Sequence, residues 1–133
     1  MFFSLEEKRM GSAADKNFLD LILPQGILAY FLLTDFTSSS SEICLYLEEK
    51  NMIPEEYCSD KLLSKGFFDE ITVQDFPLRG KAVYLHIRRR RWLNQTTGAV
   101  VFRDWNMVAQ GTRMTTEFAS FLKAISGYQA GEL

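Results

Sequence analysis

A single histidine, His86, and two cysteines, Cys44 and Cys58, leave the chain short of metal ligands. A closed structural zinc site takes four N/S ligands, so these residues predict a metal-free fold with no cofactor. Two cysteines are also too few for a disulfide framework, and both read as reduced. No apolar run approaches the ~20 residues that span a bilayer, so no membrane partner is expected. A glycine-rich phosphate loop, a nucleophile elbow and a Cys–His pair are all missing. Glu70, Asp75 and Asp104 lie near turns and strand ends, where carboxylates are common, and match no catalytic motif. Nothing in this inventory points to an enzyme. Residues 1–9 carry Glu6, Glu7, Lys8 and Arg9 where a signal peptide needs apolar residues, which predicts a cytoplasmic chain.

What is present is aromatic and electrically lopsided. Eleven Phe, five Tyr and two Trp among 133 residues suffice for a small core, and a hydrophobic share of 47% excludes a disordered chain. The net charge of −2 hides a split. Residues 1–78 hold 6 Lys and Arg against 14 Asp and Glu, a net −8. Residues 79–133 hold 9 against 3, a net +6. Two readings follow: an acidic scaffold bearing a basic binding surface, or two halves that neutralise one another across the fold.

The pattern along the chain is α+β. Residues 1–14 lack periodicity and read as a flexible leader, with Met1 and Met10 both open as the start. Asp15 suits the N-cap of a short helix reaching Leu23, where Pro24 stops it. Residues 27–36 form an apolar, aromatic run and residues 42–49 alternate cleanly, which predicts a hairpin around the Ser38 to Ser41 loop. Residues 51–65 are polar and read as a linker broken by Pro54. Beyond it, residues 71–75, a long strand over 81–92 and a third over 99–105 predict a three-stranded antiparallel meander, with turns at Pro77–Gly80 and Asn94–Gly98. Thr115 then suits the N-cap of a closing helix with Phe118, Phe121, Leu122 and Ile125 on one stripe and Gly127 as its C-cap. The expected organisation is one domain over 15–128, built from 15–50 and 66–128, with a tail over 129–133.

Arg88, Arg89, Arg90, Arg91 and Trp92 end the long strand. Alternation places Val83, Leu85 and Ile87 on one face, with Arg89 and Arg91 continuing it past the core. Tyr84, His86, Arg88, Arg90 and Trp92 take the other face. Guanidiniums suit phosphate oxygens and interleaved aromatics stack on bases, so this is a candidate nucleic-acid surface. Arg79, Lys81, Arg103 and Arg113 are candidates to extend it. The competing reading is a solvated strand end paired with the acidic half. His86, without a partner histidine, reads as structural or stacking.

Asp75-Phe76-Pro77, Gly80-Lys81, Val83, Leu85 and Arg90-Arg91-Trp92 match the pattern D-L-P-x-x-G-K-x-V-x-L-x-I-x-x-R-R-W/F. This stretch resembles the region before the catalytic domain in insertion-sequence transposases of the ISL-three group, where it forms the hairpin of a small zinc-ribbon-like domain. Gly111 to Thr115 resembles that family's passage towards its helix-turn-helix. Over residues 18–128 the chain is similar to the separately encoded N-terminal region proteins of the ISAon-one subgroup. The opening Leu21 to Gly26 and Ile53 to Glu56 fit that subgroup too. The resemblance implies a DNA-binding, non-catalytic region that recognises transposon-end DNA beside a separate catalytic transposase. Two departures stand out. The family's cysteine pairs are reduced to Cys58 alone, implying a ribbon-like meander without zinc, and the acidic catalytic triad maps onto no residue here. Three alternatives stay open: a protein-interaction module whose acidic half docks a basic partner, an inactive relic, and an RNA or single-strand binder stacking bases on Tyr84 and Trp92. Homodimerisation is left open as well.

Overall fold

The computed structural model describes residues 13–111 and 116–127. In chain order these form α1 (Ala13–Ile22), a 3-10 turn (Ile27–Ala29), β1 (Phe31–Ser38), β2 (Glu42–Glu49) and a second 3-10 turn (Glu55–Tyr57). Then follow β3 (Leu62–Phe67), β4 (Ile71–Leu78), β5 (Lys81–Arg88), β6 (Arg90–Asn94), β7 (Val100–Phe102), α2 (Trp105–Gly111) and α3 (Thr116–Ser126). The class is α+β, mostly strands in two open sheets, with a helix at the C-terminal end. None of the helices among the described residues is long and apolar enough to cross a membrane.

The first sheet has the order β1-β2-β5-β4. β1 and β2 pair as the hairpin the alternation predicts, with a bulge between Leu33 and Asp35. β4 and β5 are antiparallel and joined by a turn at Arg79 and Gly80, whose φ values of 54° and 79° are both left-handed. Such a pair suits the right-handed twist of a two-residue hairpin, although arginine is an unusual occupant. Between the two hairpins β2 and β5 run parallel, Leu45 opposite Leu85 and Leu47 opposite Ile87. This central pairing was not expected.

The inner face of that sheet holds Leu45, Leu47, Val83, Leu85 and Ile87 and is covered by Leu23, Ile27, Trp105, Ala109, Phe121, Leu122 and Ile125. The closing helix is therefore docked, as a helix this short requires. Thr115, its expected cap, and Arg113 lie outside the described residues, as do the side chain of Phe118 and the segments 1–12 and 128–133.

Several expectations need correction. The first helix already includes Ala13, so Asp15 sits inside its first turn. The run over 27–36 divides into a 3-10 turn and a strand that starts at Phe31, after the turn closes by Tyr30 N–H donating to Ile27 O. The linker over 51–65 contains the start of a true strand, β3. The meander is not one sheet, because the long strand breaks at Arg89. β5 stays in the first sheet, while β6 pairs with β3 and β7 in a second, three-stranded sheet. Polar groups impose the switch. Phe68 N–H donates to Arg89 O at 2.9 Å, and Arg90 N–H donates to Glu49 Oε1 at 2.8 Å, where β2 ends. The third strand is short, and Trp105 opens α2 instead of ending the strand.

Candidate nucleic-acid interface

The arginine run sits at the junction of the two sheets, and β3 organises it. Ser64 pairs with Trp92 and Phe67 with Arg90, so β3 carries one extra residue between those pairs. Gly66, at φ 80°, supplies the left-handed conformation that this bulge uses. The bulge brings Phe67 and Phe68 alongside the arginines with matching alternation. Arg88 and Arg90 lie over the Phe67 ring at 4.7 and 4.6 Å. Arg89 and Arg91 lie over Phe68 at 5.5 and 5.6 Å. Period 2 in both strands thus sorts four guanidiniums onto two rings, an arrangement worth roughly 0.5–1 kcal/mol per exposed contact.

Beyond the rings the four diverge. Arg88, with 46% of its side chain exposed, donates from Nη1 to Glu48 Oε2 at 2.8 Å. Arg90 donates from Nε to Glu49 O at 3.2 Å and from Nη1 to Ser64 Oγ at 2.6 Å. Arg91 donates from Nε to Lys65 O at 3.1 Å, and its Nη groups make no hydrogen bond among the described residues. Arg89 is only 5% exposed and lines a cavity of about 450 Å³ with Phe68, Phe102, Trp105 and Ile125. The alternation expected for Arg89 therefore holds, but it stays within the fold instead of emerging beyond the core.

Two other predicted contact residues are architectural. Trp92 is 1% exposed and its indole N–H donates to Asn51 Oδ1 at 2.8 Å, which removes it as a stacking platform. Arg103 is 8% exposed. It donates from Nε to Glu49 Oε2 at 2.9 Å and from Nη2 to Met52 O, and its guanidinium lies over the rings of Tyr30 and Trp105. Burial pushes the Glu49 carboxyl above its ordinary value, against the opposing pull of Arg90 and Arg103. The neutralising contacts between acidic and basic halves are real at Glu48 and Glu49.

Arg79 is exposed and Lys81 half-buried, both at the far end of β5. Seven strand steps separate Lys81 from Arg88, about 23 Å, so they do not join the arginine ladder. Lys61 and Lys65, exposed on or beside β3, do lie on its sheet. Neither these lysines nor the Phe67–Phe68 pair was expected at the interface. An aromatic pair preceded by glycine was the available signal, but only the bulge shows which residues it meets.

On the outer face of the first sheet, His86 stacks on Tyr46 with ring centres 4.5 Å apart. Its Nδ1 lies 3.1 Å from Glu70 Oε2 and 3.2 Å from Thr72 Oγ1. A cleft of about 220 Å³ beside it mixes both charge signs, with Asp35, Glu48, Glu70 and Arg88 in its wall. No three His, Cys, Asp or Glu side chains gather to hold a metal among the described residues. Against known proteins, the chain matches no family model, no curated protein and no solved structure.

Proposed function

We propose that the chain is a non-catalytic, double-stranded-DNA-binding N-terminal region of an insertion-sequence transposase. It works in the cytoplasm beside a separately encoded catalytic chain. The β4–β5 hairpin, which carries the matched residues from Asp75 to Leu85, is then the counterpart of the family's ribbon hairpin, and its continuation into β6 is held by Trp92, Asn94 and the arginine–phenylalanine stacks instead of zinc. The observation that carries the reading is that ladder. A guanidinium laid on a ring is fixed in place, yet its in-plane N–H groups remain available to a phosphate. Holding it still beforehand lowers the entropic cost of association. The phosphate-facing set is Arg88, Arg90, Arg91, Lys61 and Lys65. Arg89, Trp92 and Arg103 support it from within the fold.

Each phosphate contact releases counterions, so duplex affinity falls with salt by about one logarithmic step per contact. Replacing Arg88, Arg91 and Lys65 together by Gln should flatten that slope by up to roughly three while the thermal transition persists. Wild type that ignores duplex DNA at low salt, or a variant with an unchanged slope, overturns the reading. The acidic half would then be the binding surface, for a basic protein partner.

A further inference from the structure

The turn between β6 and β7 is built more rigidly than a surface loop needs to be. Asn94 N–H donates to Ala99 O at 2.8 Å and Gly98 N–H to Asn94 O at 2.7 Å, closing the loop. The Asn94 side chain is buried beneath it, its Oδ1 accepting from Thr96 N at 2.9 Å and Thr97 N at 3.3 Å. Its Nδ2 donates to Asp60 Oδ2 at 2.9 Å. The chain at Asp60 and Lys61 braces the tip from the side. Gln95 N–H donates to Lys61 O at 2.7 Å and Lys61 N–H to Thr96 Oγ1 at 3.4 Å. Thr97 Oγ1 accepts from Ala99 N at 3.2 Å. Gly98, at φ 81°, completes the turn in a conformation that other residues rarely adopt.

These bonds leave one polar side chain at the tip unassigned. Asn94, Thr96 and Thr97 all serve the turn itself. Gln95 is exposed, and its amide makes no hydrogen bond among the described residues. Four residue steps separate it from Arg91, up to about 13 Å, more than the ~8.5 Å depth of the DNA major groove. The turn that carries Gln95 joins β7 to β6, the middle strand of the second sheet. With Arg91 and Lys65 on backbone phosphates at the groove's rim, the tip reaches its floor. Lys61 lies beside the tip, its carbonyl accepting from Gln95 N–H, and the neighbouring Asp60 carboxylate accepts from the buried Asn94 amide.

Resting on the DNA-binding reading above, we propose that the Asn94–Gly98 tip is the base-reading element, with Gln95 the specificity residue. A glutamine amide offers a donor and an acceptor spaced for the N7 and N6 edge of adenine. The arginine ladder supplies affinity and register, and the tip supplies sequence.

The test selects from a pool of duplexes with a randomised central segment, using wild type, Gln95→Ala and Arg91→Gln. Wild type should enrich a short sequence containing a fixed adenine, preferred by roughly 5- to 150-fold over other bases. Gln95→Ala should lose that position while keeping its salt slope. Arg91→Gln should keep the enriched sequence while its slope falls by about one. Gln95 has no side-chain hydrogen bond to lose among the described residues, so its variant should melt as wild type does. Duplex binding without enrichment, or the same enrichment by Gln95→Ala, overturns the tip's role and leaves the DNA-binding reading standing. Absence of binding to every duplex overturns both.

Discussion

The two sheets share a strand path yet are held by different forces. In the four-stranded sheet, Leu45, Leu47, Val83, Leu85 and Ile87 face a cover of helices and aromatic residues. Burial there is non-directional and scales with apolar area, at about 25 cal/mol per Å². In the three-stranded sheet and its junction, the buried set includes Glu49, Arg89, Asn94 and Arg103 beside Trp92 and Val101. Those groups hold only in one geometry, because a buried charge without its partner is far costlier than an exposed one. Where helices cover a strand, many apolar sequences satisfy it. Where the strand leaves that cover, directional contacts fix its register.

The largest expected effect breaks the junction. Arg103→Met leaves the Glu49 carboxylate buried with its main ion partner gone and should cost roughly 3–5 kcal/mol near neutral pH. The double variant with Glu49→Met should recover much of that loss, since two apolar groups replace a matched pair. Arg103→Lys should not, because a single ammonium cannot make the two bonds and both ring contacts at once. Urea unfolding of the three variants decides between a specific tie and simple packing. The pH dependence carries a sign of its own. Burial raises the Glu49 carboxyl above 4.5 in the fold. The native state therefore binds that proton more readily than the unfolded chain, and the site's contribution falls as pH rises above that value. Removing Arg103 takes away a pull that lowers this carboxyl. The variant should then lose stability more steeply with rising pH and approach wild type as pH falls.

Damage to the four-stranded sheet should follow volume instead. Leu122→Ala, on the docked face of α3, should cost about 2–5 kcal/mol, with no dependence on pH. Leu122→Met should cost less than about 1.5 kcal/mol, because the core accepts another apolar shape of similar size. Equal damage from Leu122→Met and Arg103→Lys in thermal melts would erase the contrast between the two regions.

The same contrast explains what was legible beforehand. Alternation over 42–49 and 81–87 locates β2 and β5, and the spacing of Phe121, Leu122 and Ile125 locates α3 and its buried face. Periodicity says which way a side chain points but not which strand lies beside it, so the parallel pairing of β2 with β5 was hidden. Nor does alternation falter at Arg89, which keeps the inward phase of Val83, Leu85 and Ile87 while the backbone changes sheets. The switch depends on Glu49 and Phe68, one far away in sequence and the other in a stretch assigned to no element beforehand. Of the candidate interface, the alternation of the arginines was readable. The burial of Trp92 and Arg103 was not, because their partners Asn51, Glu49 and Met52 lie about 40 to 55 residues upstream, at separations the hydrogen bonds themselves set.

The smallest expected effect lies at Arg88, where the two sheets meet solvent. Its ion pair with Glu48 joins side chains that are 46% and 31% exposed, so solvent and salt screen most of the attraction. Arg88→Gln should therefore change stability by less than about 1 kcal/mol, and the small change should vanish in high salt. Stacking on Phe67 adds little to this, since Arg90 covers the same ring at a similar distance. The consequence for DNA should be larger than the consequence for folding. A solvated guanidinium gives up little hydration structure to meet a phosphate, and its loss removes about one unit of salt slope. Glu48→Gln reverses the electrostatics by freeing Arg88 from its carboxylate and deleting a negative charge from the ladder. Duplex affinity should rise for Glu48→Gln and fall for Arg88→Gln, with unfolding midpoints of both close to wild type. Opposite movements in binding at constant stability place Arg88 at the interface. Parallel movements in stability with no change in binding make the pair a structural tie, like its buried neighbour at Glu49.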